Sequence, residues 1–353
     1  MKKLTIILLL FLPVVLTAQQ SAYKSSPLEY MWKNVGSTGF SQGKAYYINL
    51  AFDPDGLPWV AYGDGAQQEA TVMKFDGNGW VNVGPASFTS DIVWYTSLAF
   101  SPSGQPYLAF RDRINGFGTT VMKFDGTDWV YVGKPGFSAD GALYTTLAFS
   151  PTGEPYVAYE DDGFASRANV QKFNGTKWEY VGKANFSPGV TWYTAFAFSP
   201  SGVPHVGFQD YANSQKASVM KFDGTGWVNV GNAGFSAGQA DYTSLAFNAS
   251  GEPYLLYADH EYAGKATVMK FDGTHWVNVG MGGFSKNPVA FTSLAFNPEG
   301  QPVVAFLVPA LSWKMEVMKF DGNSWVYVGD APLSADDAES VCLAFSPAGM
   351  AYV

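Results

Sequence analysis

The chain has 353 residues, 47% of them hydrophobic and 16% aromatic, and carries 21 Lys and Arg against 30 Asp and Glu. The formal charge of −9 removes the basic footprint that nucleic acid or an anionic lipid surface needs in a partner. A single cysteine, Cys342, excludes an intrachain disulfide, so stability must come from packed apolar surface.

Met1 to Ala18 reads as a signal peptide. Lys2 and Lys3 precede an apolar run from Leu4 to Leu16, and Thr17-Ala18 offers small residues for cleavage before Gln19. The run is too short for the ~20 residues of a membrane-spanning helix, and no later stretch is long and apolar enough to span. No cysteine follows the run to carry a lipid anchor. These features predict an exported protein, secreted or at the cell surface, with residues 19–29 a short linker.

From residue 30 onward the chain repeats itself. The segment Val121 to Gly133, VMKFDGTDWVYVG, has close copies whose tryptophans fall at Trp32, Trp80, Trp129, Trp178, Trp227, Trp276 and Trp325, one step of 48 and then five of 49. A second marker, Leu-Ala-Phe or Phe-Ala-Phe, keeps the same phase from Leu50 to Phe345. Two markers in phase mean tandem units. In one unit, Tyr144 to Ser150, Pro155 to Tyr159, Ala168 to Phe173 and Trp178 to Val181 are β-branched and aromatic runs bounded by turn residues, the pattern of four strands, A to D. Asp-Gly or Asn-Gly, as at Asp125-Gly126 and Asn174-Gly175, marks the hairpin between C and D.

Strand A is apolar on both faces, so neighbouring sheets must cover it twice. Four strands at a period near 49 predict an all-β propeller of four-stranded antiparallel blades. Complete units start near Tyr47, Tyr95, Tyr144, Tyr193, Tyr242 and Phe291. An orphan strand D at Trp32 to Val35 and an orphan strand A at Val341 to Ser346, with the start of a strand B at Met350 to Val353, remain. Joined, they predict a seventh blade closed by the N-terminal strand but lacking strand C. The expectation is six complete repeats plus a split, incomplete seventh across 30–353, in a chain that continues past Val353.

This grammar of Leu-Ala-Phe, a Pro-containing Gly turn, Pro-Tyr-Val-Ala-Tyr and an Asp resembles that of extracellular NHL-like and sialidase-like propellers. It is also similar to the tandem repeats of secreted surface proteins from Bacteroidetes-type bacteria, a resemblance that implies a C-terminal sorting domain. Phe124 to Trp129 resembles a sialidase Asp-box, but lacks its leading Ser and has four positions from Asp to Trp where the box has five. Asp-boxes are structural turns, so the resemblance carries over no catalytic residue.

In a meander the A-to-B and C-to-D turns share one end of the blade, and the B-to-C loops and D-to-A crossings share the other. The second end varies between units, as binding loops do. Its candidates are Asp64, Asp112, Asp161, Asp210 and Asp259 in the B-to-C loops, with Arg111 and Glu160 beside them. Tyr46, Trp94 and Trp192 are the candidates from the crossings. The recurring Asp residues predict either a ring of carboxylates for sugar hydroxyls or Ca²⁺, or Asx-turns within their own loops. The aromatics predict stacking on a sugar or a protein partner, or packing on the next blade. The repeated Trp reads as core between blades, and the repeated Lys before each hairpin as a stem laid on apolar surface.

Enzyme readings find few pieces. His205, His260 and His275 lie in different units without metal-ligand spacing, and Arg occurs only at Arg111, Arg113 and Arg167. Glu160 with Asp161 or Asp162 reads either as a carboxylate pair for glycoside chemistry or as a salt-bridged loop beside Arg111 and Arg113 of the preceding unit. The expected function is an exported, non-catalytic binding or surface-interaction module, without a cofactor, for carbohydrate or an extracellular protein, with similar weak sites adding through multivalency. A glycan-processing enzyme with its site near Arg111, Glu160 and Asp161 is the alternative, and an adhesin-like spacer the second.

Overall fold

Short β-branched and aromatic runs separated by Asp-Gly and Pro-Gly turns fold into hairpins, and the computed structural model, which describes residues 7–9, 31–65, 68–163 and 166–353, shows them stacked as blades. The remainder of the expected signal peptide and linker lies outside the described residues. Blade 1 consists of strands A to D at Ala45–Phe52, Pro58–Asp64, Glu69–Phe75 and Trp80–Asn82. Blades 2 to 6 repeat it from Val93, Ala142, Thr191, Ala240 and Ala290. Within these six blades the strands pair antiparallel in consecutive order. In the C-to-D hairpin of blade 1, Asp76 Oδ1 accepts the Asn78 and Gly79 N–H groups at 2.9 Å, and Gly77 turns the chain at φ 97°, a conformation that costs glycine nothing.

The A strands of neighbouring blades pack side by side around the axis and the short D strands lie outside. Between blades lie apolar clusters such as that of Trp59, Leu98, Leu108, Phe110 and Trp129. The seven repeated tryptophans lock this contact. Trp129 Nε1 donates to the Val83 carbonyl of the preceding blade at 2.8 Å, and Trp178 to Val132 at 2.7 Å. Its indole is stacked by a Phe from the incoming crossing, Phe137 on Trp178 at 4.4 Å, and flanked by Phe173 of its own strand C. The Ser that follows that Phe holds the crossing in place: Ser138 Oγ accepts the Thr119 N–H at 2.9 Å. Of the repeated lysines, Lys74 lies over the Trp59 ring and Lys270 over that of Tyr254.

The expectation of seven blades is corrected to six. Among the described residues four contiguous strands occur six times, and the remaining sector of the ring holds a composite sheet in the order Trp32–Asn34, Ile7–Leu9, Ala351–Tyr352, Ala344–Phe345. The place of strand C is thus taken by backbone from the apolar N-terminal run. The composite sheet still joins the ends of the ring. Trp32 Nε1 donates to Val328 of blade 6 at 2.7 Å, and Tyr352 meets Phe52 of blade 1 edge-on at 4.8 Å.

If the indole is the peg between blades, Trp178→Ala will lower unfolding free energy by ~3–5 kcal/mol. Trp178→Phe, which keeps a stacked ring but loses the hydrogen bond and part of the ring volume, will cost less, about 1–3 kcal/mol. Urea titrations of both variants check this: equal losses would show that the ring stack contributes nothing, and an unchanged Trp178→Phe that the indole N–H contributes nothing.

Candidate functional site

Each strand A carries one extra residue relative to strand B. In blade 1 the register moves from Tyr46↔Gly63 to Asn49↔Ala61, a β-bulge that re-aims a side chain. The bulged residues Tyr47, Tyr95, Tyr144, Tyr193, Tyr242 and Phe291 have φ between 49° and 54°. A left-handed conformation costs a residue with a Cβ ~1–2 kcal/mol, and its recurrence at one place marks a position under constraint. All six rings line a cavity of about 860 Å³ on the axis. Neighbouring rings are tilted on one another at 4.7 to 5.4 Å between centroids. Thr96, Thr243 and Thr292 tie the collar together, each donating its hydroxyl to the collar carbonyl of the preceding blade. Burial raises the pKa of every tyrosine in the collar, that of Tyr95 to about 12, so the phenols stay neutral.

The collar is broken at one sector. There Ser340 stands where the blades have an aromatic ring, and its Oγ accepts the Ile48 N–H of blade 1 at 3.3 Å. Asp337 and Glu339 line the cavity beside it, with Trp313 from blade 6. The Ala338 N–H donates to the Trp313 carbonyl at 3.0 Å, holding this segment against the loop that carries the indole. Trp313 is 41% exposed and tilted on Phe291 at 6.2 Å. Lys44 pairs with Glu339 and lies over the Tyr46 ring at 4.7 Å. Aromatic faces and carboxylates therefore meet in one opening, on the end of the ring where the loops vary.

Of the residues singled out from the sequence, only Tyr46 lines this cavity. Trp94 and Trp192 precede collar tyrosines in blades 2 and 4 and form separate platforms. Trp94 stacks with Phe117 at 5.7 Å, and Arg111 lies over both rings. Trp192, 41% exposed, packs on Tyr211 at 5.4 Å. Of the two readings of the recurring Asp residues, the ligand-facing ring is corrected in favour of the loop-capping one: Asp64, Asp112, Asp161, Asp210 and Asp259 are all buried. Asp210 accepts from the Ala212 N–H, Asn213 Nδ2 and Ser218 Oγ, and Asp112 from Asn115 Nδ2 and Thr120 Oγ1. Asp64, Asp161 and Asp259 accept backbone N–H groups of Gly43, Gly163, and Gly238 and Glu261. They cap their loops, as Asp does at the start of a helical turn. Among the described residues no group of three His, Cys, Asp or Glu side chains is placed to hold a metal ion.

The pieces expected for glycoside chemistry are not presented to solvent together. Arg111 Nη2 is held by Asp162 Oδ2 at 2.8 Å, and Asp161 is inside its loop. Glu160 is completely buried, with the Ser166 hydroxyl as its one nearby side-chain donor, set outside good hydrogen-bonding geometry. Burial pushes its pKa up to about 8; the Ser166 hydroxyl counteracts this in part and Asp162 adds to it. A general acid has to reach its substrate, and this carboxyl has no open path to the surface.

Sequence reasoning passed over the collar, Trp313, Asp337 and Glu339. Glu339 continues the series Tyr46, Trp94, Leu143, Trp192, Asp241, Ala290 by one more step of 49. Trp313 stands in the series Gln68, Phe117, Ser166, Gln215, Gly264. Both were available as variable positions of the repeat. The collar was not, because nothing in Tyr-Thr-Ser announces a bulge.

Because the folded state holds a proton on Glu160 that the unfolded chain releases above its ordinary pKa of 4.5, stability falls as pH rises from about 4.5 to 8. Glu160→Gln removes that dependence. Thermal unfolding at pH 5 and pH 9 will show the variant gaining on the wild type at the higher pH, and parallel profiles would mean that the carboxylate is solvated in the folded protein.

No protein-family model matches the chain, and no curated protein matches it in sequence. Among solved structures it is similar in fold to the BP39L lectin from Burkholderia pseudomallei, with TM-score 0.62, 14% identity, and coverage of 84% of this chain and 89% of that one. It is also similar to Aleuria aurantia lectin in complex with Fucα1-6GlcNAc, with TM-score 0.54, 13% identity, and coverage of 82% and 97%. A polysaccharide lyase of family PL25, an ulvan lyase, aligns with TM-score 0.55, 11% identity, and coverage of 84% and 85%. At such identities the likeness is one of fold: a β-propeller.

Proposed function

We propose that the protein is an exported, non-catalytic carbohydrate-binding propeller that takes its ligand at the axial cavity. The observation that carries this reading is the opening where Trp313 and the tyrosine collar face Asp337 and Glu339. Sugars present apolar C–H faces and hydroxyl edges, and an aromatic ring beside carboxylates satisfies both. That lectins and a polysaccharide lyase are built on similar propellers supports a carbohydrate ligand. Binding is favoured over turnover by the burial of Glu160 and Asp161. Export is favoured by Lys2, Lys3 and the apolar run after them.

Calorimetry with oligosaccharides selected on a glycan array tests the reading, with hydrolysis and lyase assays on the same samples. Trp313→Ala will weaken binding about tenfold, the equivalent of ~1.4 kcal/mol. Asp112→Asn will lower stability and leave binding unchanged. Unaltered affinity in Trp313→Ala would move the site elsewhere, and product formation that survives purification to homogeneity would make the protein an enzyme.

A further inference from the structure

We infer that the ligand is an extended stretch of linear glycan, a tetrasaccharide or longer, laid from Trp313 of blade 6 across blade 5 to Trp192 of blade 4. The inference rests on the carbohydrate reading above and deepens it by giving the axial site a second end.

Three observations carry it. The first is an unbroken path of ring contacts. Trp313 touches Phe291, Phe291 touches Tyr242, Tyr242 touches Tyr193 and Tyr193 touches Trp192, with centroids 4.7 to 6.2 Å apart at each step. Trp313 and the three middle rings line the cavity. Trp192 stands next to them, at the start of strand A in blade 4, on the same variable end of the ring. A sugar ring covers roughly one such step. A monosaccharide on Trp313 therefore leaves the far indole untouched.

The second is exposure. The path begins and ends on an indole that is 41% exposed, whereas Trp129, Trp178 and Trp276 are buried between blades. An indole left this open forgoes the burial that stabilises the others. Two of them at opposite ends of one path have the character of anchors for a partner that covers both.

The third is direction. On the other side of the opening the equivalent positions are already covered or carry no ring. Phe117 stacks on Trp94 with Arg111 over both, Lys44 lies over Tyr46, and blade 3 has Leu143. Between the two open indoles, blade 5 places Asp241 at the position of Trp192, and its carboxylate accepts from Gln209, Gln239 and His260. His260, with its side chain 48% exposed, meets Asp241 through Nε2 at 2.8 Å, which leaves Nδ1 for a sugar hydroxyl. Indole, polar pair and indole in succession match a chain whose units present apolar faces and hydroxyl edges.

Calorimetry of the full chain with cello-, xylo- and manno-oligosaccharides graded from disaccharide to hexasaccharide tests the inference. In a series that binds, the tetrasaccharide is expected to bind at least about tenfold more tightly than the disaccharide. Trp192→Ala is expected to remove that gain and leave the affinity for the disaccharide unchanged, Trp192→Tyr to keep most of the gain, and Trp313→Ala to weaken binding at every length. His260→Ala is expected to cost the tetrasaccharide about threefold and the disaccharide nothing, which keeps the test decisive if the indole variant fails to fold. Affinity that stops rising at the disaccharide, or a dependence on length that Trp192→Ala leaves intact, overturns the extended path while leaving the carbohydrate reading in place. No binding at any length in any series overturns both.

Discussion

Every sector of the ring is fastened to its predecessor by one indole N–H donated to a valine carbonyl, from Trp32 on Val328 to Trp325 on Val279. A blade alone cannot bury both faces of its sheet. The hydrogen bond converts that need into a defined register between sheets, because a partner carbonyl at 2.7 to 2.9 Å fixes where each blade sits. The Phe stacked on the indole comes from the crossing that enters the blade, so covalent order and packing order agree. That agreement of local and long-range preferences is what makes a repeated sequence foldable.

The inner face is built on the opposite principle. At the collar the backbone is bent against its preference in all six blades, and the Thr hydroxyls at several blade junctions brace it. A residue with no functional demand on it would relax, and a glycine would occupy the bulge at lower energy. Instead five tyrosines and a phenylalanine are aimed at the axis. The outer strands thus supply stability, while the innermost turn of each blade gives some of it up to hold an aromatic surface open.

Much of the architecture was legible because repetition made each signal recur. Trp at steps of 49, Asp-Gly hairpins and Leu-Ala-Phe named the strands, their order and the end of the ring that varies. The buried role of the repeated Asp residues was also readable as one of two outcomes, since an Asx-turn and a ligand-facing ring place the same residue in the same loop. What could not be read depends on side-chain direction. Tyr47 and its counterparts looked like strand residues because an αL bulge leaves no mark in composition. Glu160 looked accessible beside Asp161 and Asp162, yet its cross-strand partner Leu143 belongs to a strand covered by the next blade. The blade count failed for a simpler reason: the remaining sector has the Trp and the Leu-Ala-Phe of a blade and draws on both ends of the chain as expected, but it has no repeat strand C, and Ile7–Leu9 stands in its place.

One feature of the geometry sets the stoichiometry. Sites carried on blades would be present in several copies per molecule, but a cavity on the rotation axis exists once however often the blade is repeated. Ser340 further removes the rotational degeneracy, since the single gap gives an occupant one orientation. With the proposed ligand on the axis the molecule is monovalent, and any gain from avidity then has to come from displaying many molecules side by side.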